Sequence, residues 1–170
     1  MVRDGVRERD LVRAEPQDVA DGGLEGVGPV EGAVVEVVEG DAREVPLDEG
    51  VDAVLVDPPC TGLGVLSSRP DARWKRRESS LGPLTEQQRA VLDRALALAR
   101  PGGRVVYSTC TLIAPENEDV VRATGAPLDD LGAEHPELAH PRLPGALLTL
   151  PHRHGTDGFF IARLRRPEAS

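Results

Sequence analysis

Apolar residues fall in short blocks along this chain, and their spacing changes from block to block. In VDAVLVDPPCTGLG (Val51–Gly64), residues Val51, Ala53, Val54, Leu55 and Val56 form a run that is apolar on both faces. Such a run predicts a central parallel strand rather than a half-exposed antiparallel one. A second apolar strand is predicted in GRVVYSTCT (Gly103–Thr111). Between them the period lengthens. Val91, Leu92, Ala95, Leu96 and Ala99 follow the i, i+3, i+4 rhythm of a helix packed on a sheet. The predicted helix is Thr85–Arg100, with Thr85 and Gln88 as a capping box and Pro101-Gly102-Gly103 as the stop. Strand, helix and strand make a parallel crossover unit, so the fold class is α/β.

The flanking blocks are weaker. Pro115–Ala123 predicts a short second helix, with Pro115 at its first position and Glu116 and Glu118 at the positive end of the dipole. Residues 124–145, rich in proline, glycine and charge, predict a loop. Ala146–Leu150 and Gly158–Leu164 predict an antiparallel pair of strands joined by PHRHGTDG. Upstream, Val34–Val38 predicts a short strand and VPLDEG a turn. Residues 1–32 show no sustained period and are expected to be irregular apart from a short helix near Arg9–Ala14. The expected organisation is a leader (1–32), one domain (33–166) and a tail (167–170).

Composition changes the picture in three places. Aromatic residues are only 2% of the 170, so Val, Leu and Ala must build the core. A formal charge of −9 argues against a protein that coats nucleic acid generally, but leaves room for a local basic groove. Ser67–Ser80 supplies one candidate, with Arg69, Arg73, Lys75, Arg76 and Arg77 around the single tryptophan. That cluster reads either as a solvated loop or as an RNA path. No apolar run approaches a membrane span, and the N-terminus lacks the apolar core of a signal peptide. A cytoplasmic setting with reduced cysteines is the expectation.

The chemistry-bearing residues stand just past the two predicted strands. Asp57 and Cys60 follow the first, and Ser108, Thr109 and Cys110 end the second. Ligands of open α/β sheets bind beyond the carboxyl ends of such strands. Pro58 and Pro59 stiffen the first turn, because each fixes φ and lacks an N–H. Cys60 and Cys110 are the only cysteines, and they admit three readings. They could be small buried hydrophobes. A metal site is disfavoured, since no C-x-x-C spacing occurs and His152 and His154 are remote in sequence. A covalent catalyst with an assisting thiol is the third, favoured by strand-end loops beside a helix start.

DPPCTGLG, RPDARW, PGGRVVYSTCTLIAPENEDVV and DGFFIARL, in that order, resemble the Sun-type RNA cytosine-5 methyltransferases. The resemblance runs from about Val34 to Arg166 and points to the bacterial branch acting on ribosomal RNA. It implies a partial Rossmann-like S-adenosyl-methionine methyltransferase fold, mostly parallel, with a C-terminal antiparallel pair. It implies Cys110 as the nucleophile that attacks carbon 6 of cytosine, and Cys60 as the residue that helps eliminate the enzyme from the methylated product. By the same resemblance Asp57 borders the cytosine edge and the cofactor, Asp41 in EGDAR holds the adenine of S-adenosyl-methionine, and RNA is the partner.

The family also carries a glycine-rich cofactor loop upstream of the EGDAR segment. GVGPVEG (Gly26–Gly32) follows no apolar strand and is not a substitute. Two expectations follow. The 170-residue chain alone does not methylate RNA, and an open sheet edge promotes self-association. Two other readings compete. One is a non-catalytic remnant serving as an RNA-binding or dimerising module, which would bind no cofactor. The other is an amino-group methyltransferase, whose D-P-P motif ends in an aromatic residue where this chain has Cys60.

Overall fold

The computed structural model describes residues 38, 40–44, 46–75 and 77–168, with the side chain of Lys75 left out. The predicted leader, its short helix, most of the Val34–Val38 strand and Arg76 lie outside the described residues. Val38 is exposed and belongs to no strand.

Four strands form one mixed sheet in the order β1-β2-β4-β3. The elements are β1 (Val51–Val56), α1 (Ala72–Lys75), α2 (Leu81–Leu98), β2 (Ala99–Thr109), α3 (Glu118–Thr124), α4 (Leu131–Glu134), β3 (Leu147–Leu148), α5 (Pro151–His154) and β4 (Phe160–Arg165). β1 and β2 run parallel and are linked through α2, as the crossover pattern predicts. β4 pairs antiparallel with both β2 and β3, which bears out the closing strand pair. Apolar residues of α2 (Val91, Leu92, Ala95, Leu98) share one buried cluster with Val54, Val56, Val105 and Tyr107 of the sheet. Burying each large side chain contributes roughly 1.5–3 kcal/mol.

Several boundaries differ from the sequence reading. The helix begins at Leu81, not Thr85, because Pro83 lies in its first turn, where the missing N–H costs nothing. Thr85 therefore caps nothing; its hydroxyl donates back to the Gly82 carbonyl at 2.9 Å. The helix ends at Leu98, and the chain enters β2 directly at Ala99. Pro101-Gly102-Gly103 is a bulge inside that strand. Val51 pairs with Ala99 but Ala53 already pairs with Arg104, and Gly102 takes a left-handed φ of 70° to absorb the excess residues. The predicted helix Pro115–Ala123 divides into a 3₁₀ turn at Ala114–Glu116 and α3. The predicted loop 124–145 holds α4, a 3₁₀ turn at Pro136–Leu138 and a bridge from Leu128 to Leu164. The connection PHRHGTDG contains α5.

A buried charged knot fastens α3 to the segment before β3. Glu118, His140 and Arg142 meet there, with Glu118 and His140 side chains 1% exposed. His140 Nδ1 accepts the backbone N–H groups of Arg142 and Leu143 at 3.1 and 3.0 Å, so its proton resides on Nε2. Nε2 lies 3.4 Å from Glu118 Oε1. Burial holds His140 below the ordinary histidine range, aided by Arg142 and Arg122 and opposed by Glu118. Burial works against the charge of Glu118, but its backbone N–H, Arg142 and His140 outweigh it and keep the carboxyl below its usual range.

A histidine with a lowered folded pKa binds its proton more readily unfolded. Its contribution is complete above the ordinary value of 6.5 and is lost as pH falls below it. Glu118 adds a second loss below 4.5. We expect the unfolding free energy from urea denaturation to fall from pH 6.5 downward, by at most about 1.4 kcal/mol per pH unit for one proton. His140→Gln should flatten the first part of that decline; denaturation curves at half-unit pH steps would show it.

Candidate active site

The parallel pairing of β1 and β2 decides where the two cysteines meet. Val56, the last residue of β1, pairs with Tyr107 of β2. Cys60 and Cys110 therefore emerge beyond the same end of neighbouring strands, and their sulfurs lie 3.4 Å apart. That hydrogen bond is the largest influence on both thiols. It pulls Cys110 below the usual thiol range, assisted by the charge of Arg69 and opposed by burial and the charge of Asp57. It pushes Cys60 far up, with burial and the neighbouring Cys110 charge acting in the same direction. Of the two sulfurs, Cys110 is therefore the one more readily ionised.

The residues beside each cysteine are held from below. On the first loop, the Pro59 carbonyl accepts Gln88 Nε2 at 2.8 Å. Thr61 N–H donates to Glu116 Oε1 at 2.8 Å, and its hydroxyl donates to Glu116 Oε2. Gln88 Nε2 also reaches Glu116 Oε1 at 3.0 Å, which fixes the amide orientation. On the second loop, the Thr109 hydroxyl donates to Asn117 Oδ1 at 2.6 Å, and Asn117 Nδ2 donates to the Thr111 carbonyl at 3.0 Å. The Thr61 and Thr111 hydroxyls join the loops at 2.9 Å. Gln88, Thr109, Thr111 and Glu116 are fully buried. Tyr107, also buried, donates its hydroxyl to the Glu116 carbonyl at 2.7 Å.

A third loop closes on the same point. Gly64 N–H donates to the Cys110 carbonyl at 2.9 Å, and Gly158 N–H donates to the Gly64 carbonyl at 2.8 Å. Asp157 holds the hydroxyls of Ser67 and Ser68 at 2.7 and 2.8 Å, fastening the start of the basic segment to the C-terminal strand pair. Arg69, Arg73 and Arg77 are exposed, and Trp74 is 83% exposed.

The other predicted residues are placed less centrally. Asp57 is half-buried at the end of β1, close enough for its charge to bear on Cys110 and Tyr107. Asp41 sits in an exposed turn, where its carboxylate accepts Arg43 Nε at 2.9 Å and is held down to about 2 by that side chain and the Arg43 N–H. Among the described residues no group of three or more His, Cys, Asp or Glu could hold a metal ion, and no helix is long and apolar enough to cross a membrane.

Sequence reasoning missed Gln88, Glu116, Asn117, Thr61 and Thr111. Gln88 and Glu116 read as helix-terminus residues, yet both point away from local partners into the site. One signal was available: each cysteine is followed by threonine, in DPPCT and STCT, and those two threonines touch.

A parallel strand pair joined through a helix and closed by an antiparallel C-terminal strand fits the α/β methyltransferase fold, and the thiol pair stands beyond the carboxyl ends of its parallel strands. The chain belongs to the 16S rRNA methyltransferase RsmB/F family, whose model matches residues 27–165. A Mycobacterium tuberculosis protein, named as a methyltransferase without a stated substrate, is 42% identical over 147 residues, covering 79% of this chain and 31% of its own length. Ribosomal RNA small subunit methyltransferase F of Serratia proteamaculans is 39% identical, over 71% of this chain and 27% of its own. The crystal structure of NSun6 from Pyrococcus horikoshii with SFG superposes with a TM-score of 0.67 at 36% identity, covering 79% of this chain and 35% of that one. The chain spans about a third of the length of the relatives it matches.

Proposed function

We propose that this chain carries the covalent half of an RNA cytosine-5 methyltransferase acting on ribosomal RNA, with S-adenosyl-methionine as methyl donor. The observation that supports it is the Cys60–Cys110 sulfur pair, 3.4 Å apart beyond the carboxyl ends of adjacent parallel strands, an arrangement that lowers the Cys110 thiol and raises that of Cys60. Carbon 5 of cytosine is a poor nucleophile. Addition of the Cys110 thiolate to carbon 6 forms an S–C bond and makes carbon 5 enamine-like. The cofactor, when bound, supplies an electrophilic methyl group on a cationic sulfur. After transfer, the proton on carbon 5 leaves to a base, the S–C bond breaks and Cys110 departs as a thiolate. Cys60 S–H, positioned to donate to that sulfur, stabilises the departing anion.

The residues present fit the donor in part. The negative charge of Asp57 beside the thiols suits a cationic sulfonium. Asp41 suits an adenine amino group only where Arg43 shares the carboxylate, since Arg43 already occupies both its oxygens. Arg69, Arg73 and Arg77 are exposed after the Cys60 loop and, with Lys75 and Arg76 beside them in sequence, make a basic run that suits phosphates along an RNA path. Trp74 among them offers an aromatic face.

The test uses this chain fused to the preceding part of its Mycobacterium tuberculosis relative, incubated with unmodified ribosomal RNA and S-adenosyl-methionine. Cys60→Ala should accumulate a covalent protein–RNA complex at least about tenfold above the parent, read on denaturing gels, because release is impaired more than attack, which is slowed by the weaker Cys110 thiolate but continues. Turnover at the parent rate without accumulation would return Cys60 to a packing role.

A further inference from the structure

We propose that Glu116 and Asn117 form a bracket of positioning residues that sets the sulfur–sulfur distance and so tunes the reactivity of Cys110; this rests on the paired-thiol reading above. The two residues are adjacent in the chain but serve different loops. Glu116 receives the N–H and hydroxyl of Thr61, next to Cys60. Asn117 grips the Thr109 hydroxyl and the Thr111 carbonyl, on either side of Cys110. Since they are joined by one peptide bond, the loops they carry cannot drift independently. Gln88 ties the bracket to α2, and the Tyr107 hydroxyl on the Glu116 carbonyl ties it to β2.

Hydrogen-bond direction adds detail. A carboxylate only accepts, so Thr61 donates to Glu116 and the Thr111 hydroxyl donates to Thr61. All these groups are buried, so a lost partner is not replaced by bulk water. The Glu116 carboxylate bonds to Thr61 and Gln88 and not to a sulfur, so its influence runs through Thr61 to Cys60 and from there to Cys110.

The experiment is the pH dependence of Cys110 alkylation by iodoacetamide in the 170-residue chain, followed by peptide mass mapping so that the two cysteines are read separately. Reactivity follows the thiolate fraction. Cys60→Ala removes the donor directly and is the reference for a decoupled Cys110. Thr61→Val, close in volume but without the hydroxyl, and Glu116→Ala should each move the midpoint of the Cys110 profile to higher pH, toward that reference, and slow alkylation at pH 7. Thr61→Ser should restore the parent profile. Glu116→Gln should stay near it, because the carboxamide can donate to Thr61 and reverse the hydroxyl chain. A purely structural role would lower stability without ordering the profiles in this way. Parent profiles for Thr61→Val and Glu116→Ala beside a shifted Cys60→Ala would overturn the bracket and leave the thiol pair standing. An unshifted Cys60→Ala would overturn the paired-thiol reading and the bracket with it. Thr61→Val keeps the test decisive if Glu116→Ala fails to fold.

Discussion

Replacing Cys110 with alanine is expected to lower methyl transfer on the order of 10³-fold or more in the fusion with the Mycobacterium tuberculosis segment. Without the S–C bond to carbon 6, carbon 5 is left as an aromatic carbon with too little electron density to displace a methyl group from sulfur. No neighbouring group can take over. Burial and the hydrogen bond with Cys110 push the Cys60 thiol far up, which makes it the poorer nucleophile of the two. Removing Cys110 also removes that bond, yet Cys60 then remains a partly buried thiol with no charge to activate it. Tritium transfer from labelled cofactor to ribosomal RNA measures the loss. A thermal midpoint close to that of the parent separates lost chemistry from lost folding. Transfer within tenfold of the parent would remove Cys110 from the mechanism.

Gly64→Ala is expected to destabilise the chain by about 3 kcal/mol or more. A Cβ at this position would lie 2.0 Å from the Gly158 carbonyl oxygen and 2.9 Å from that of Cys110. Both are backbone atoms, so no side-chain rotation relieves the clash. The Gly64 N–H and carbonyl are the two groups that bind the Cys110 and Gly158 segments, so the loops could separate only by giving up those bonds. The DPPC, STC and DGFF segments touch where only a hydrogen fits. Gly82→Ala is the matched control, since nothing lies within 4 Å of its Cβ position and it sits in the first turn of α2. It should be neutral or slightly stabilising. Urea denaturation of the two variants gives the comparison. A Gly64→Ala midpoint equal to the parent's would mean that the three loops are not locked together.

The sheet and its crossover were legible in the sequence because β1, α2 and β2 carry strong, distinct periods. The meeting of Cys60 and Cys110 was legible for the same reason, since parallel neighbours must bring their carboxyl ends together. Helix ends were not. Gly82-Pro83 looks like a breaker, yet a proline in the first turn gives up an N–H that has no helical partner in any case. Pro101-Gly102-Gly103 looks like a terminator, yet a left-handed glycine also makes a bulge within a strand. The support of the site was illegible for a different reason. Gln88 and Glu116 are polar residues at positions where local rules already supply an explanation, a capping box and a helix dipole. Their actual partners lie 28 and 55 residues away in sequence, at Glu116 and Thr61. Hydropathy records that a residue is polar and not whether it is buried with a distant partner. His140 escaped in the same way, as one residue in a segment read as loop.

The claim that Cys110 is the nucleophile and Cys60 its partner can be read from a single bond. Ribosomal RNA containing 5-fluorocytosine cannot lose fluorine from carbon 5 as it would a proton, so the enzyme stays attached after methyl transfer. The trapped complex of the fusion protein would be digested with nuclease and protease, and the peptide bearing the nucleotide mass sequenced by mass spectrometry. The nucleotide mass is expected on Cys110, with Cys60 unmodified. A nucleotide on Cys60 would contradict that claim.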